Sequence, residues 1–106
     1  MPYVITFAHQ KGGVGKTTLA LNLYACFRDH LPTRLIDVDP QGSLKAIGEM
    51  EGNGIDVETL PHEPKELLNG PAQLIIIDTT PYLSSHLPQL FALSHLVVIP
   101  TRAGFL

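Results

Sequence analysis

The stretch His9-Gln10-Lys11-Gly12-Gly13-Val14-Gly15-Lys16-Thr17-Thr18 holds the residue types needed to grip an oxygen-rich anion. Gly12, Gly13 and Gly15 lack Cβ atoms, so the backbone can curl until successive N–H groups point into one concavity. A helix starting near Lys16 would add the positive end of its dipole. The Lys16 ammonium is placed to reach β- and γ-phosphate oxygens, and the Thr17 hydroxyl is the right ligand type for Mg²⁺. The elements that must position this loop stand on either side of it. Tyr3-Val4-Ile5-Thr6-Phe7-Ala8 leads in as an apolar run, and Leu19-Ala20-Leu21-Asn22-Leu23-Tyr24-Ala25 leads out as a helix former. Strand, glycine loop, Lys-Thr and helix, in that order, make a P-loop.

Two further runs end in carboxylates. Arg34-Leu35-Ile36-Asp37-Val38-Asp39 reads as a short strand stopped by Pro40-Gln41-Gly42. Asp37 and Asp39 are two residues apart and so point to the same side. Gln73-Leu74-Ile75-Ile76-Ile77-Asp78 is a very apolar strand ending in aspartate, followed by Thr79-Thr80-Pro81. In open parallel sheets ligands sit beyond the C-terminal ends of the strands. The acids at both strand ends therefore belong with the loop if the strands are parallel. A strand carrying Asp78 beside the loop's own strand would face that carboxylate toward a metal held at Thr17.

The loop departs from G-x-x-x-x-G-K-[ST], which wants glycine where Gln10 stands. What is written is K-G-G-x-G-K-T-T, with an additional lysine, Lys11, at the start. This resembles the deviant Walker A motif of the ParA/MinD family of ATPases. Leu35-Ile36-Asp37-Val38-Asp39-Pro40-Gln41-Gly42-Ser43 resembles that family's second motif, Walker A′. The apolar run into Asp78 resembles its Walker B, where the family reads Asp-x-Pro-Pro and this chain has Thr80 for the first proline. Leu96-Val97-Val98-Ile99-Pro100 resembles a further family segment. The resemblance covers essentially the whole chain. It implies that Mg²⁺ and ATP are the cofactor and substrate, with Lys11, Gly12, Gly13, Val14, Gly15, Lys16, Thr17 and Thr18 binding nucleotide. It further implies that Asp39 orients the attacking water with Asp37 in support, and that Asp78 acts on the metal through water. Lys11 is implied to reach across a nucleotide-sandwich homodimer to the partner's phosphates, in the manner of an arginine finger.

The functional expectation is a ParA-like ATPase of plasmid or chromosome partitioning, cytoplasmic, with a ParB-like or other activator protein as partner. The alternatives are other members of the superfamily, either a MinD-like division-site ATPase or a cobyrinate/dethiobiotin-type ligase. A nucleotide-binding module without catalysis is a further alternative. An iron-protein reading would need cysteines that bridge a cluster, and Cys26, expected inside a helix as a small core residue, does not qualify. Preference for ATP over GTP rests on the resemblance.

Composition bounds these readings. The chain has 106 residues, 44% hydrophobic and 16% charged, enough for one domain with a substantial core. Net charge is −3, and with Lys11 and Lys16 assigned to the loop no basic patch remains for nucleic acid. DNA binding is thus expected only from sequence beyond this chain. One cysteine excludes an internal disulfide and Cys₄ or Cys₂His₂ metal sites. The strand-like N-terminus does not read as a signal peptide, and the apolar runs are far shorter than a membrane span. His30, His62, His86 and His95 have no partners at metal-ligand spacing.

Strands alternating with helices predict a three-layer α/β/α fold with a mainly parallel sheet and right-handed crossovers. The first helix is expected to run to about His30, before Pro32, with Leu19, Leu23 and Phe27 on its packing face and Ala20, Tyr24 and Cys26 widening it. Residues 43–51 suit a short helix, 55–60 a short edge strand, and 61–70 a loop with one helical turn at 65–68. Residues 84–94 suit another helix, with Pro88 in its first turn, and Leu96–Ile99 a fifth buried strand. Family members are about twice as long, so residues 1–106 are expected to be the N-terminal half of a longer product, or a chain that completes itself by association. In either case a bare apolar face is expected at the fifth strand.

Overall fold

Apolar runs that do not alternate with polar residues are stable only where both faces of the strand are covered, and three such runs form the centre of the sheet. The computed structural model describes residues 1–8, 16–38, 44, 55–79 and 87–99. The strands are β1 (Tyr3–Phe7), β2 (Thr33–Asp37), β3 (Val57–Thr59), β4 (Leu74–Asp78) and β5 (Leu96–Val98), all parallel, in the order β3-β2-β4-β1-β5. The longer helices are α1 (Lys16–Phe27) and α2 (Leu87–Leu93), and a 3₁₀ helix spans Pro64–Leu68. This is the α/β fold expected, with β4 beside β1 and the short β3 at an edge.

Strand alternation divides the core into two layers. Ile5, Phe7, Leu35, Leu74 and Ile76 pack on one side of the sheet with Ala20 and Tyr24 of α1. Val4, Ile36, Ile75 and Ile77 pack on the other with Leu67 of the 3₁₀ helix and Leu90 of α2. Ile75, Ile76 and Ile77 have no exposed surface. Gly70, at φ +103°, turns the chain out of the 3₁₀ helix toward β4 in a conformation that side chains disfavour. The edge strand β3 is clamped to β2 by Arg34, whose guanidinium donates to both Glu58 carboxylate oxygens, at 3.0 and 2.7 Å, and to the Leu67 carbonyl. The hydrogen bonds to Glu58 raise the Arg34 pKa.

Three expectations are corrected. Helix α1 buries Ala20 and Tyr24, with Leu23 partly buried beside them, while Leu19 and Phe27 are 45% and 38% exposed; of the broad face expected, only the part centred on Ala20 and Tyr24 packs. The cause is that α1 lies over β4 and β2, which turns Leu19 and Cys26 toward a strip above β1 and β5 that no other described helix covers. Cys26 is accordingly exposed and not a core residue. The third correction is β5, an edge strand with Leu96 47% exposed and Val97 and Val98 half-buried. Ile5, Phe7, Leu19, Leu23, Cys26, Leu96 and Val98 line an apolar groove of about 430 Å³ there. The α1 helix stops at Phe27, and a hydrogen-bonded turn carries the chain to Leu31. The short helix expected over 43–51 lies outside the described residues except for Leu44, which is helical and buried.

His95 has a structural part. Its Nδ1 accepts from the Val4 N–H at 3.0 Å, its backbone N–H donates to the Val4 carbonyl, and its ring stacks on Tyr3 at 4.7 Å. These contacts fix where β5 begins against β1.

Burial separates two substitutions that look alike in sequence. Ile76→Ala, at the sheet centre, should cost about 2–5 kcal/mol in a denaturant melt. Leu96→Ser, half-exposed, should stay within about 0.5 kcal/mol while reducing light scattering and apolar-dye binding.

Candidate functional site

The chemistry-bearing residues lie at the C-terminal edge of the sheet, and alternation decides on which side. Leu35 and Ile76 belong to the layer under α1, so Asp37 and Asp78, two residues further along each strand, also fall on the α1 side. The two are register partners on adjacent strands, which lie about 4.8 Å apart. Asp78 is likewise the register partner of Phe7, the last residue of β1. Both carboxylates are buried, with 4% exposure at Asp37 and 2% at Asp78.

The first turn of α1, Lys16–Thr18, begins on the same side. Its N–H groups have no partner within the helix, and no acidic residue occurs in that turn to occupy the positive end of the dipole. The strand order makes this edge a switch point. The chain leaves β1 toward β2 through α1 on one face, and leaves β4 toward β5 through α2 on the other. Between β4 and β1 the connections therefore diverge, and it is at such a position that doubly wound sheets receive ligands.

The strand ends are tied together by hydrogen bonds. The Val38 N–H donates to the Asp78 carbonyl at 2.9 Å, and the Ala8 N–H donates to the Val98 carbonyl at 2.9 Å. The Thr79 N–H and hydroxyl both donate to the Phe7 carbonyl, at 3.1 and 2.8 Å. One Asp37 carboxylate oxygen accepts from the Leu44 N–H at 3.1 Å, so Asp37 also holds the chain that follows Pro40-Gln41-Gly42.

Of the predicted site residues, the structure brings Asp37, Asp78 and the helical backbone of Lys16, Thr17 and Thr18 to one edge. Lys11, Gly12, Gly13, Val14, Gly15, Asp39 and Thr80 lie outside the described residues. Among the described residues no group of three or more His, Cys, Asp or Glu could hold a metal. The two carboxylates are nevertheless the oxygen donors that suit Mg²⁺, a cation that keeps waters and substrate phosphates in its shell and does not require an all-protein cage. Sequence reasoning did not single out the Thr79 hydroxyl, because its acceptor is 72 residues away and no local spacing reveals it. No helix among the described residues is long and apolar enough to cross a membrane.

Comparison with known proteins agrees with this geometry. The family model for the CobQ/CobB/MinD/ParA nucleotide binding domain matches residues 5–103. The maintenance of carboxysome distribution protein A of Gloeobacter kilaueensis is 39% identical over 89 residues, 79% of this chain and 41% of that protein. The chromosome partitioning protein ParA of Myxococcus xanthus is 37% identical over 83 residues, 74% of this chain and 29% of that protein. A crystal structure of a plasmid partition protein from Borrelia burgdorferi bound to AMPPNP has the same fold, with a TM-score of 0.73 at 24% identity over 93% of this chain and 62% of that one. The chain thus spans less than half the length of these two curated relatives. With the match running through the glycine loop, both aspartate strands and β5, the chain belongs to the CobQ/CobB/MinD/ParA nucleotide binding domain family.

Proposed function

We propose that this chain is a ParA-like ATPase that binds and hydrolyses Mg-ATP with nucleotide-dependent homodimerisation, in plasmid or chromosome partitioning. The observation that carries the reading is the pairing of Asp37 and Asp78, buried on the α1 side of adjacent strand ends, next to the helix that follows K-G-G-x-G-K-T-T. Oxygen-donor acids and a helix N-terminus at one switch point are what a metal-bound polyphosphate requires.

In this reading backbone N–H groups from Gly12 to Thr18 cradle the phosphates, and Lys16 neutralises β/γ charge. Thr17 and, through water, Asp78 would hold Mg²⁺, which when bound neutralises charge on the phosphate oxygens. Asp39 orients the attacking water. Asp37 supports it by holding the following segment through the Leu44 N–H. Lys11 acts on the phosphates of the partner subunit. Phosphoryl transfer asks for positioning and charge stabilisation more than for covalent chemistry by the protein, and this division of labour supplies both. A cytoplasmic location, a ParB-like activator and DNA contact through sequence outside this chain belong to the same proposal.

Lys16→Ala should abolish ATP binding in calorimetry while the circular dichroism melt stays near wild type, since the role proposed for Lys16 is to neutralise phosphate charge. Wild-type affinity in that variant would rule the reading out.

The two acids should separate by step. Asp39→Ala should leave Mg-ATP affinity nearly intact and remove phosphate release, whereas Asp78→Ala should weaken binding only when Mg²⁺ is present. ATP bound by the wild-type chain with no phosphate released would favour a binding module without catalysis.

Lys11→Ala should leave monomer affinity for nucleotide unchanged and eliminate ATP-induced dimers in sedimentation with a non-hydrolysable analogue. Persisting dimers would make Lys11 a solvated loop residue.

A further inference from the structure

Thr79 is 1% exposed and follows directly on Asp78. Its hydroxyl reaches back across the sheet to the Phe7 carbonyl at 2.8 Å, and its N–H reaches the same oxygen at 3.1 Å. The N–H bond continues the parallel β1–β4 ladder, in which Phe7 already faces Asp78. The hydroxyl bond is additional, and the carbonyl can accept both because it has two lone pairs. Phe7 closes β1, and the glycine-loop stretch begins at His9. The doubly held carbonyl therefore belongs to the peptide from which the loop departs, while the residue that holds it is joined to the metal-side carboxylate.

We infer that Thr79 is a positioning residue that locks the Asp78 carboxylate to the start of the phosphate-binding loop, through paired hydrogen bonds from its hydroxyl and its N–H to the Phe7 carbonyl. This rests on the nucleotide-binding reading proposed above. Two hydrogen bonds from one residue to one carbonyl fix the plane of the Phe7–Ala8 peptide as well as its distance. The loop start and Asp78 then move as one body. Neighbouring ties spread this order along the edge, with Val38 bonded to the Asp78 carbonyl and Ala8 to that of Val98. The metal-side acid stands at the end of β4 and Thr17 in the first turn of α1, just after the loop, so their relative placement depends on such a link. Groups that orient metal-binding side chains from behind influence affinity without touching the metal.

The substitution that isolates the hydroxyl is Thr79→Val. It keeps the branched shape, and the Phe7 carbonyl keeps the backbone N–H, so no buried acceptor is orphaned. Calorimetry of the full chain with a non-hydrolysable ATP analogue, in Mg²⁺ and in EDTA, reads the effect. In Thr79→Val the gain in affinity conferred by Mg²⁺ should fall about tenfold or more while affinity in EDTA is unchanged, and Thr79→Ser, which restores the hydroxyl, should behave as wild type. Should Thr79→Val fail to fold in a circular dichroism melt, Thr79→Cys, a weaker donor, is read for the same split. An unchanged Mg²⁺ gain overturns the positioning role alone, as does an equal loss in Mg²⁺ and EDTA. A wild-type chain that binds no nucleotide in either condition overturns the nucleotide-binding reading, and the positioning role with it.

Discussion

The register of β4 between β1 and β2 is the constraint on which the site depends. Asp78 stands opposite Phe7 on one side and Asp37 on the other, and only this alignment puts both acids at one edge on the α1 side. A slip by one residue would bring Ile77 to that position and turn the aspartate to the other face. The apolar run itself cannot prevent the slip. Leu74-Ile75-Ile76-Ile77 is apolar on both faces, so a shifted strand would still present hydrophobic side chains to both layers. Burial of about 1.5–3 kcal/mol per side chain holds β4 in the sheet without saying where along its length it should stop.

The ends of the strand supply that information. At the start, the Gln73 and Leu74 N–H groups donate to the Pro32 carbonyl, and the Tyr3 N–H donates to that of Gln73. At the finish, Val38 and Thr79 tie β4 to β2 and β1. A shift would break bonds at both ends and push a carboxylate toward the layer that holds Val4, Leu67 and Leu90. Each such bond contributes only about 1 kcal/mol net, but leaving buried donors and acceptors unmade costs more than their formation gains. Hydrophobic burial and polar matching therefore have separate tasks here: one assembles the sheet and the other aligns the site.

This division explains what was legible in the sequence. The parallel α/β fold, β4 beside β1 and β3 at an edge could be read from patterns, because unbroken apolar runs between helical stretches admit few arrangements. Asp37 and Asp78 were legible because each closes an apolar run. The 3₁₀ turn at Pro64–Leu68 was legible as a local helical signal. The packing side of α1 was legible only in part. Its residues are apolar on nearly every side, so the face read from the pattern took in both Leu19-Leu23-Phe27 and Ala20-Tyr24-Cys26, and the narrower stripe that packs was chosen by where the helix sits over β4 and β2. The Thr79–Phe7 and His95–Val4 bonds were illegible for a different reason. They join residues 72 and 91 positions apart, and nothing in either neighbourhood marks the partner.

The apolar character of α1 also bears on how the site is held. A helix whose N-terminus binds an anion needs its body fixed, or the loop in front of it moves with it. Ala20 and Tyr24 fix it on one flank, against the sheet. The small Ala20 permits close approach, and Tyr24 is the larger of the two buried side chains. On the other flank Leu19, Leu23 and Cys26 form one wall of the groove over Ile5, Phe7, Leu96 and Val98. Two strands at about 4.8 Å spacing leave a strip roughly as wide as a helix of about 10 Å diameter. Phe7 belongs to both settings, since its side chain floors this groove while its carbonyl receives Thr79. Packing on the open flank of α1 and alignment of the strand ends thus meet at one residue, and whatever stiffens the groove also stiffens the peptide from which the loop begins.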